Sequence, residues 1–166
     1  IVADDIAIPG INQPRGVAGT LFVHKIAGYH AERGDDLQTV AAHAAAAAGD
    51  IVSLGMSLST CSVPGQAHED RLGADEGELG LGIHGEPGIE RITLQPVADI
   101  VATMVARLSP TLREGVSHAL LVNNLGAVPP LEMAVIANAV LSSRLGRHVR
   151  LIIGPAPMMT ALNMNG

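Results

Sequence analysis

One stretch concentrates the residue types that could do chemistry. Glu78-Leu79-Gly80-Leu81-Gly82-Ile83-His84-Gly85-Glu86-Pro87-Gly88 sets a histidine among glycines, two residues from a glutamate. Residues 78–84 alternate and read as a strand. Strand side chains alternate between faces, so Leu79, Leu81 and Ile83 are expected against the core. Glu78, Gly80, Gly82 and His84 then share the other face. Two glycines there leave bare backbone on which a small molecule can lie, with His84 at its end. Gly85 and Gly88 would turn the chain at a strand terminus, a common place for ligand sites in α/β sheets. Glu86 invites pairing with His84, although the sequence does not show that the side chains meet. A plainer reading stands beside this one: strand glycines often mark close packing of another backbone, and a lone histidine is usually structural.

Two further segments offer polar groups. Ser59-Thr60-Cys61-Ser62-Val63-Pro64-Gly65 follows an apolar run and supplies hydroxyls, a thiol and backbone N–H groups; it reads equally as a hydroxyl-rich turn. Asn123-Asn124-Leu125-Gly126 follows one predicted strand and precedes a helix, where a polyol or phosphate could be contacted. Its alternative is a turn whose Asn side chains cap local backbone. That segment lacks the GxGxxG and GxxxxGK[ST] nucleotide patterns, and no nucleophile-elbow pattern supports serine hydrolase chemistry. His24, with Lys25, falls in a predicted helix. His30, His43, His68, His118 and His148 lack zinc spacing, so no metal site is predicted.

These segments need a scaffold. Residues 1–8 read as a strand running into a loop, with Pro9-Gly10 and Pro14 as turn punctuation. A helix is expected over 17–33, stopped by Gly34, and a second over 37–48, with Asp35-Asp36 at its N-cap and Gly49 at its end. Strands are expected over 51–58, 78–84, 118–123 and 148–153, a long loop over 59–77, and helices over 96–108 and 129–145. Strands alternating with helices predict an α/β domain. No Met begins the chain and no closing element ends it after Asn165-Gly166, so it reads as a fragment of a longer protein.

Composition narrows the function. The 166 residues are 48% hydrophobic but only 1% aromatic, so the core must be aliphatic. A net charge of −6 without a Lys/Arg cluster argues against nucleic acid and anionic lipid as partners. No apolar run is long enough to span a bilayer, and no signal-peptide pattern opens the chain. Cys61 is the single cysteine, which excludes an intramolecular disulfide and fits a reducing, cytoplasmic setting.

Gly55-Met56-Ser57-Leu58-Ser59-Thr60-Cys61-Ser62-Val63-Pro64-Gly65, the run Glu78 through Gly88, and Leu120-Leu121-Val122-Asn123-Asn124-Leu125-Gly126 resemble the substrate-binding subunit or domain of dihydroxyacetone kinases. Gly19 through Gly28 resembles the helix opening that family's second lobe. Thr160 through Gly166 resembles the segment leading into its closing strand. The resemblance runs in order along nearly the whole chain, and Gly-Ile-His-Gly-Glu-Pro-Gly is its most specific motif. The chain departs from the family's pattern at Gly154-Pro155-Ala156-Pro157-Met158-Met159, with its two prolines, and over Gly65 to Leu72, where Gly65 to Asp70 is unusually charged.

The resemblance implies a two-layer α/β sandwich with a mixed sheet and helices mainly on one face. It implies that residues 1–166 form one domain, the carboxy-terminal lobe of the substrate-binding domain, without its amino-terminal lobe or closing segment. It assigns His84 as the catalytic and substrate-binding residue, bonding covalently to the carbonyl carbon of dihydroxyacetone, or of a similar short ketose or aldose, as a hemiaminal. Neutral imidazole is a competent nucleophile near pH 7, and glycerol has no carbonyl to attack. The family's aspartate and second histidine, its acid and base, belong to the other lobe. This chain is then expected to bind no cofactor; ATP or ADP with Mg2+ would sit on a separate domain or subunit of the kinase, and a homodimer is implied. Relatives that act as ligand-binding sensors or transcriptional co-activators supply the alternative function.

Overall fold

The computed structural model describes residues 1–6, 15–67, 71–84, 86–113 and 115–166. Pro9-Gly10, Pro14, His68, Asp70 and Gly85, each singled out above, lie outside them. The chain divides into two compact units, Ile1–Ser53 and Leu54–Gly166.

In the first unit, α1 (Thr20–Glu32) and α2 (Leu37–Asp50) pack against each other. Gly34 follows α1 at φ +82, the left-handed conformation that ends helices. Asp36 caps α2 as its type predicts, accepting from the Thr39 N–H at 2.7 Å; that bond leads the causes holding its carboxyl below the usual range. α2 runs through Gly49 to Asp50 instead of stopping at Ala48. One glycine costs a helix only about 1 kcal/mol relative to alanine, too little to end it without a left-handed turn. Of the strand expected at 1–8, the described residues keep a single parallel bridge between Asp5 and Ser53. Asp4 is buried and anchors this unit. Its carboxylate accepts from the N–H groups of Val17 and Gly19, each at 2.8 Å, and from Ser53 Oγ at 2.5 Å.

The second unit holds two sheets. β1 (Met56–Ser57), β2 (Glu76–Leu79) and β3 (Glu90–Thr93) form an antiparallel sheet, with Met56 opposite Leu79 and Glu78 opposite Arg91. β4 (His118–Asn123) and β5 (Val149–Ala156) pair in parallel. The α/β class is as expected, and both kinds of pairing occur, divided between two sheets rather than mixed within one. β3 had no counterpart among the predicted strands. Glu-Arg-Ile-Thr has a single aliphatic residue and no apolar alternation, and its place comes from pairing with β2.

α3 (Val97–Leu108) and α4 (Pro130–Ser142) pack together, and a short 3-10 turn, Leu145–His148, leads into β5. Val101, Val105 and Leu145 form one aliphatic core with Ile136 and Val149 beside it; Val122, Val128 and Met133 form a second. A third gathers Leu81, Leu125, Ala161 and Met164, with Cys61 and Ile83 against it. This last cluster exists because residues 161–166 thread between the two sheets. Leu58 N–H donates to Asn165 O at 2.7 Å, Leu125 N–H to Gly166 O at 2.8 Å and Ala127 N–H to Met164 O at 3.1 Å. The end of the chain therefore ties the strand-end loops together.

Candidate functional site

The alternation expected over residues 78–84 fails after its second residue. β2 ends at Leu79, and Gly80 takes φ +72, a conformation that side chains rarely adopt and that turns the chain out of the strand. Residues 77–82 are all buried, so Glu78, Gly80 and Gly82 do not line an open face opposite Leu79 and Leu81. His84 is not on a strand but in the turn that follows. Its side chain is 77% exposed.

The turn has a frame. Glu78, its side chain 4% exposed, accepts from the Gly88 N–H at 3.0 Å and pairs with Arg71 at 3.1 Å. Gly80 N–H donates to Gly55 O at 2.8 Å, and Ile89 N–H to Leu79 O at 3.1 Å. Both ends of the loop are thus tied to β2 or its neighbour. A Cβ on Gly88 would lie 2.6 Å from Glu78 Cβ, so only glycine lets the chain return this close. Inside the loop, Glu86 Oε2 accepts from the His84 N–H at 2.9 Å, and Oε1 stands 3.4 Å from His84 Nδ1. Partial burial pushes the Glu86 carboxyl up. Hydrogen bonds from its own N–H and from His84, together with attraction to the His84 ring, outweigh this and hold it below the usual glutamate value. The His84–Glu86 contact was left open by the sequence; the clamp by Arg71 and Glu78 was missed, and no spacing rule signals it.

The Dak1 domain family matches the chain over residues 1–166. The chain belongs to the Dak1 domain family. It is similar to the dihydroxyacetone kinase of Citrobacter freundii, at 47% identity over all of this chain and 30% of that protein. It is 40% identical to the dihydroxyacetone-binding subunit DhaK of a PTS-dependent dihydroxyacetone kinase of Listeria innocua, covering all of this chain and 53% of the subunit. Among solved structures, the C. freundii kinase in complex with AMP-PNP and Mg2+ superposes with a TM-score of 0.94 at 46% identity, over 99% of this chain and 31% of that one. The dihydroxyacetone kinase operon co-activator Dha-DhaQ superposes with a TM-score of 0.90 at 28% identity, over 98% and 53%. This Dak1 chain therefore spans about a third to a half of the length of these relatives.

The other candidate segments of the Dak1 chain turn out to be occupied. Asn123 Nδ2 donates to Met159 O at 2.6 Å, and its Oδ1 accepts from the N–H groups of Met158 and Met159 at 3.1 and 2.8 Å. Asn124 Nδ2 donates to Val128 O at 2.7 Å, and its Oδ1 accepts from Gly126 and Val128 at 2.8 and 3.3 Å. Ser59 Oγ accepts from Asn165 N–H at 3.0 Å, Ser62 N–H donates to Asn163 Oδ1 at 2.7 Å, and Cys61 packs on the Leu81–Met164 core. These segments hold the fold together around the turn. Two cavities, about 290 Å³ beside Glu90 and Thr103 and about 440 Å³ beside Arg113 and His148, include no residue of the turn in their linings. Among the described residues no group of three or more His, Cys, Asp or Glu could hold a metal, and no helix is long and apolar enough to cross a membrane.

Proposed function

We propose that this chain is the carboxy-terminal lobe of a dihydroxyacetone kinase's substrate-binding domain, and that His84 captures dihydroxyacetone as a covalent hemiaminal for phosphorylation. One observation carries the reading: in a Dak1 chain, 47% identical to a dihydroxyacetone kinase, the histidine of the loop after β2 stands 77% exposed on a loop pinned at both ends. A side chain held by its backbone but left open at its ring is ready to react rather than to pack. A covalent bond also suits a substrate too small to bury much surface, and it selects a ketone over glycerol. The bound substrate keeps a free primary hydroxyl for in-line phosphoryl transfer.

The acid and base of that transfer belong to the other lobe, and the donor, ATP or ADP with Mg2+, to a separate domain or subunit. The C. freundii relative, solved with AMP-PNP and Mg2+ and more than three times the length of this match, supports that division. Assembly as a homodimer and a cytoplasmic setting, consistent with a single cysteine, complete the proposal. The co-activator reading has the weaker support, 28% identity against 47%. The test is intact-protein mass spectrometry of the full-length protein with dihydroxyacetone. A gain of one substrate mass without loss of water, absent in His84→Ala, is expected. An adduct that persists in His84→Ala would overturn the assignment.

A further inference from the structure

We propose that Glu86 is a positioning residue for His84: it holds the proton on Nδ1 and so leaves the lone pair on Nε2, the nitrogen that forms the bond to the substrate. This rests on the reading of His84 as the nucleophile. Three separate features of the loop point to it.

The first is the way the carboxylate is held. Oε2 is anchored by the His84 backbone N–H at 2.9 Å, which leaves Oε1 facing Nδ1 of the same residue at 3.4 Å. The anchor and the ring belong to one residue, so the carboxylate moves with the imidazole it orients. A distance of 3.4 Å is long for a hydrogen bond; such contacts are often loose before substrate binds and tighten in the complex. The second is the space made for it. A Cβ on Gly82 would lie 2.3 Å from Glu86 Oε2 and 2.7 Å from its Cδ, so Gly82 is what lets the carboxylate fold under the ring. The third is rigidity. Pro87 restricts Glu86 to extended backbone, and the loop's far end is fastened where Gly88 N–H meets Glu78.

The chemistry needs such a group. The neutral imidazole has one N–H and one lone pair, and only the nitrogen without hydrogen can attack. In bond formation the Nε2 pair joins the carbonyl carbon, and the C=O π pair moves to oxygen, which takes up one proton. The ring then carries positive charge, relieved when Nδ1 gives up its proton. One proton is gained by oxygen and one is lost from Nδ1, so the hemiaminal forms with no net change in protons and no other reactant. A carboxylate at Nδ1 selects the reactive tautomer beforehand and stabilises the charge as it develops, the role an acidic partner plays for a histidine base.

The experiment is nitrogen-15 NMR of the imidazole, alongside the rate of adduct formation by mass spectrometry, on the full-length protein. Wild type is expected to show His84 as the Nδ1–H tautomer when neutral. Glu86→Gln and Gly82→Ala, which displaces the carboxylate without removing it, should both shift the population toward Nε2–H. Both should slow adduct formation on the order of 10-fold to 100-fold, the usual loss when a histidine's orienting partner goes. A wild-type ring in the Nε2–H form overturns the proposal without any variant. So does adduct formation at the wild-type rate in both variants with an unchanged tautomer signal. A wild-type protein that forms no adduct at all overturns the reading of His84 itself, a result separate from either of these.

Discussion

Two loops of the second unit look alike in sequence and differ in what their polar side chains have left to give. Asn123-Asn124-Leu125-Gly126 and the His84 loop each follow a strand and use glycine to turn. In the first, both amide side chains are spent on backbone partners. In the second, the His84 ring meets one carboxylate oxygen at 3.4 Å and is 77% exposed, with no other partner among the described residues. A strand-end position is thus shared by a structural turn and by one proposed to react. Unspent hydrogen-bonding capacity tells them apart.

The largest expected effect breaks the comparison at its reactive end. His84→Ala should abolish covalent capture of dihydroxyacetone and discrimination against glycerol. Stability should change by no more than about 0.5 kcal/mol, because an exposed ring contributes little burial. Adduct mass and a urea midpoint on the same preparation check both halves. A large loss of stability would place His84 with the asparagines.

At the structural end the signs reverse. Asn124 is 6% exposed, and its removal leaves the Val128 N–H and C=O and the Gly126 N–H without their side-chain partner. Asn124→Ala should cost about 3 kcal/mol, from stranded buried polar groups, while protein kept below its new melting temperature still captures substrate. A urea titration reads the first, mass spectrometry the second. Loss of capture in fully folded protein would mean that this loop touches substrate after all.

A third substitution sharpens the comparison by loosening the reactive loop's frame. Glu78→Gln keeps an acceptor for the Gly88 N–H but removes the charge facing Arg71. The expected cost is about 1.5 kcal/mol, at the low end for hydrogen bonds to charged groups, with a modest slowing of capture. Unchanged stability would show that the Arg71–Glu78 pair does not hold the loop.

Local pattern carried the helices and one strand. α1 and α2 follow from apolar spacing, Gly34 and the Asp36 cap, and β4 matches its apolar run at 118–123 residue for residue. The misses at β2 and β3 share a cause: position set by partners distant in sequence. β2 lies two residues earlier than expected and stops at Leu79, because Gly80 N–H bonds to Gly55 and the chain must turn there. β3 has no apolar pattern and exists through its pairing with β2. In the site, the letters Gly-Ile-His-Gly-Glu-Pro-Gly isolated His84 at once. They could not give its place in a turn, because the alternation that set it at the end of a strand stopped at Leu79. Nor could they show that Glu78, apparently beside the ligand, is buried under the loop.

The smallest effect concerns pH and tests whether the His84–Glu86 contact exists in solution. The Glu86 carboxyl is held below its ordinary value of 4.5, with hydrogen bonds and the His84 ring outweighing burial. A depressed folded-state value means that the unfolded chain binds the proton more readily. The loop is therefore supported while Glu86 is ionised, above its ordinary value, and that support fades as pH falls through the lower folded value. The Glu86 side chain is 42% exposed, so solvent screens the interaction and the global stability curve should barely record it. The local readout is the carbon-13 shift of the Glu86 carboxyl. Its midpoint should fall below 4.5 in wild type and move back toward that value in His84→Ala, which removes the ring's charge but keeps the backbone donors. A wild-type midpoint at or above 4.5 would show that burial outweighs the hydrogen bonds and the ring, and would count against a kept His84–Glu86 contact in solution.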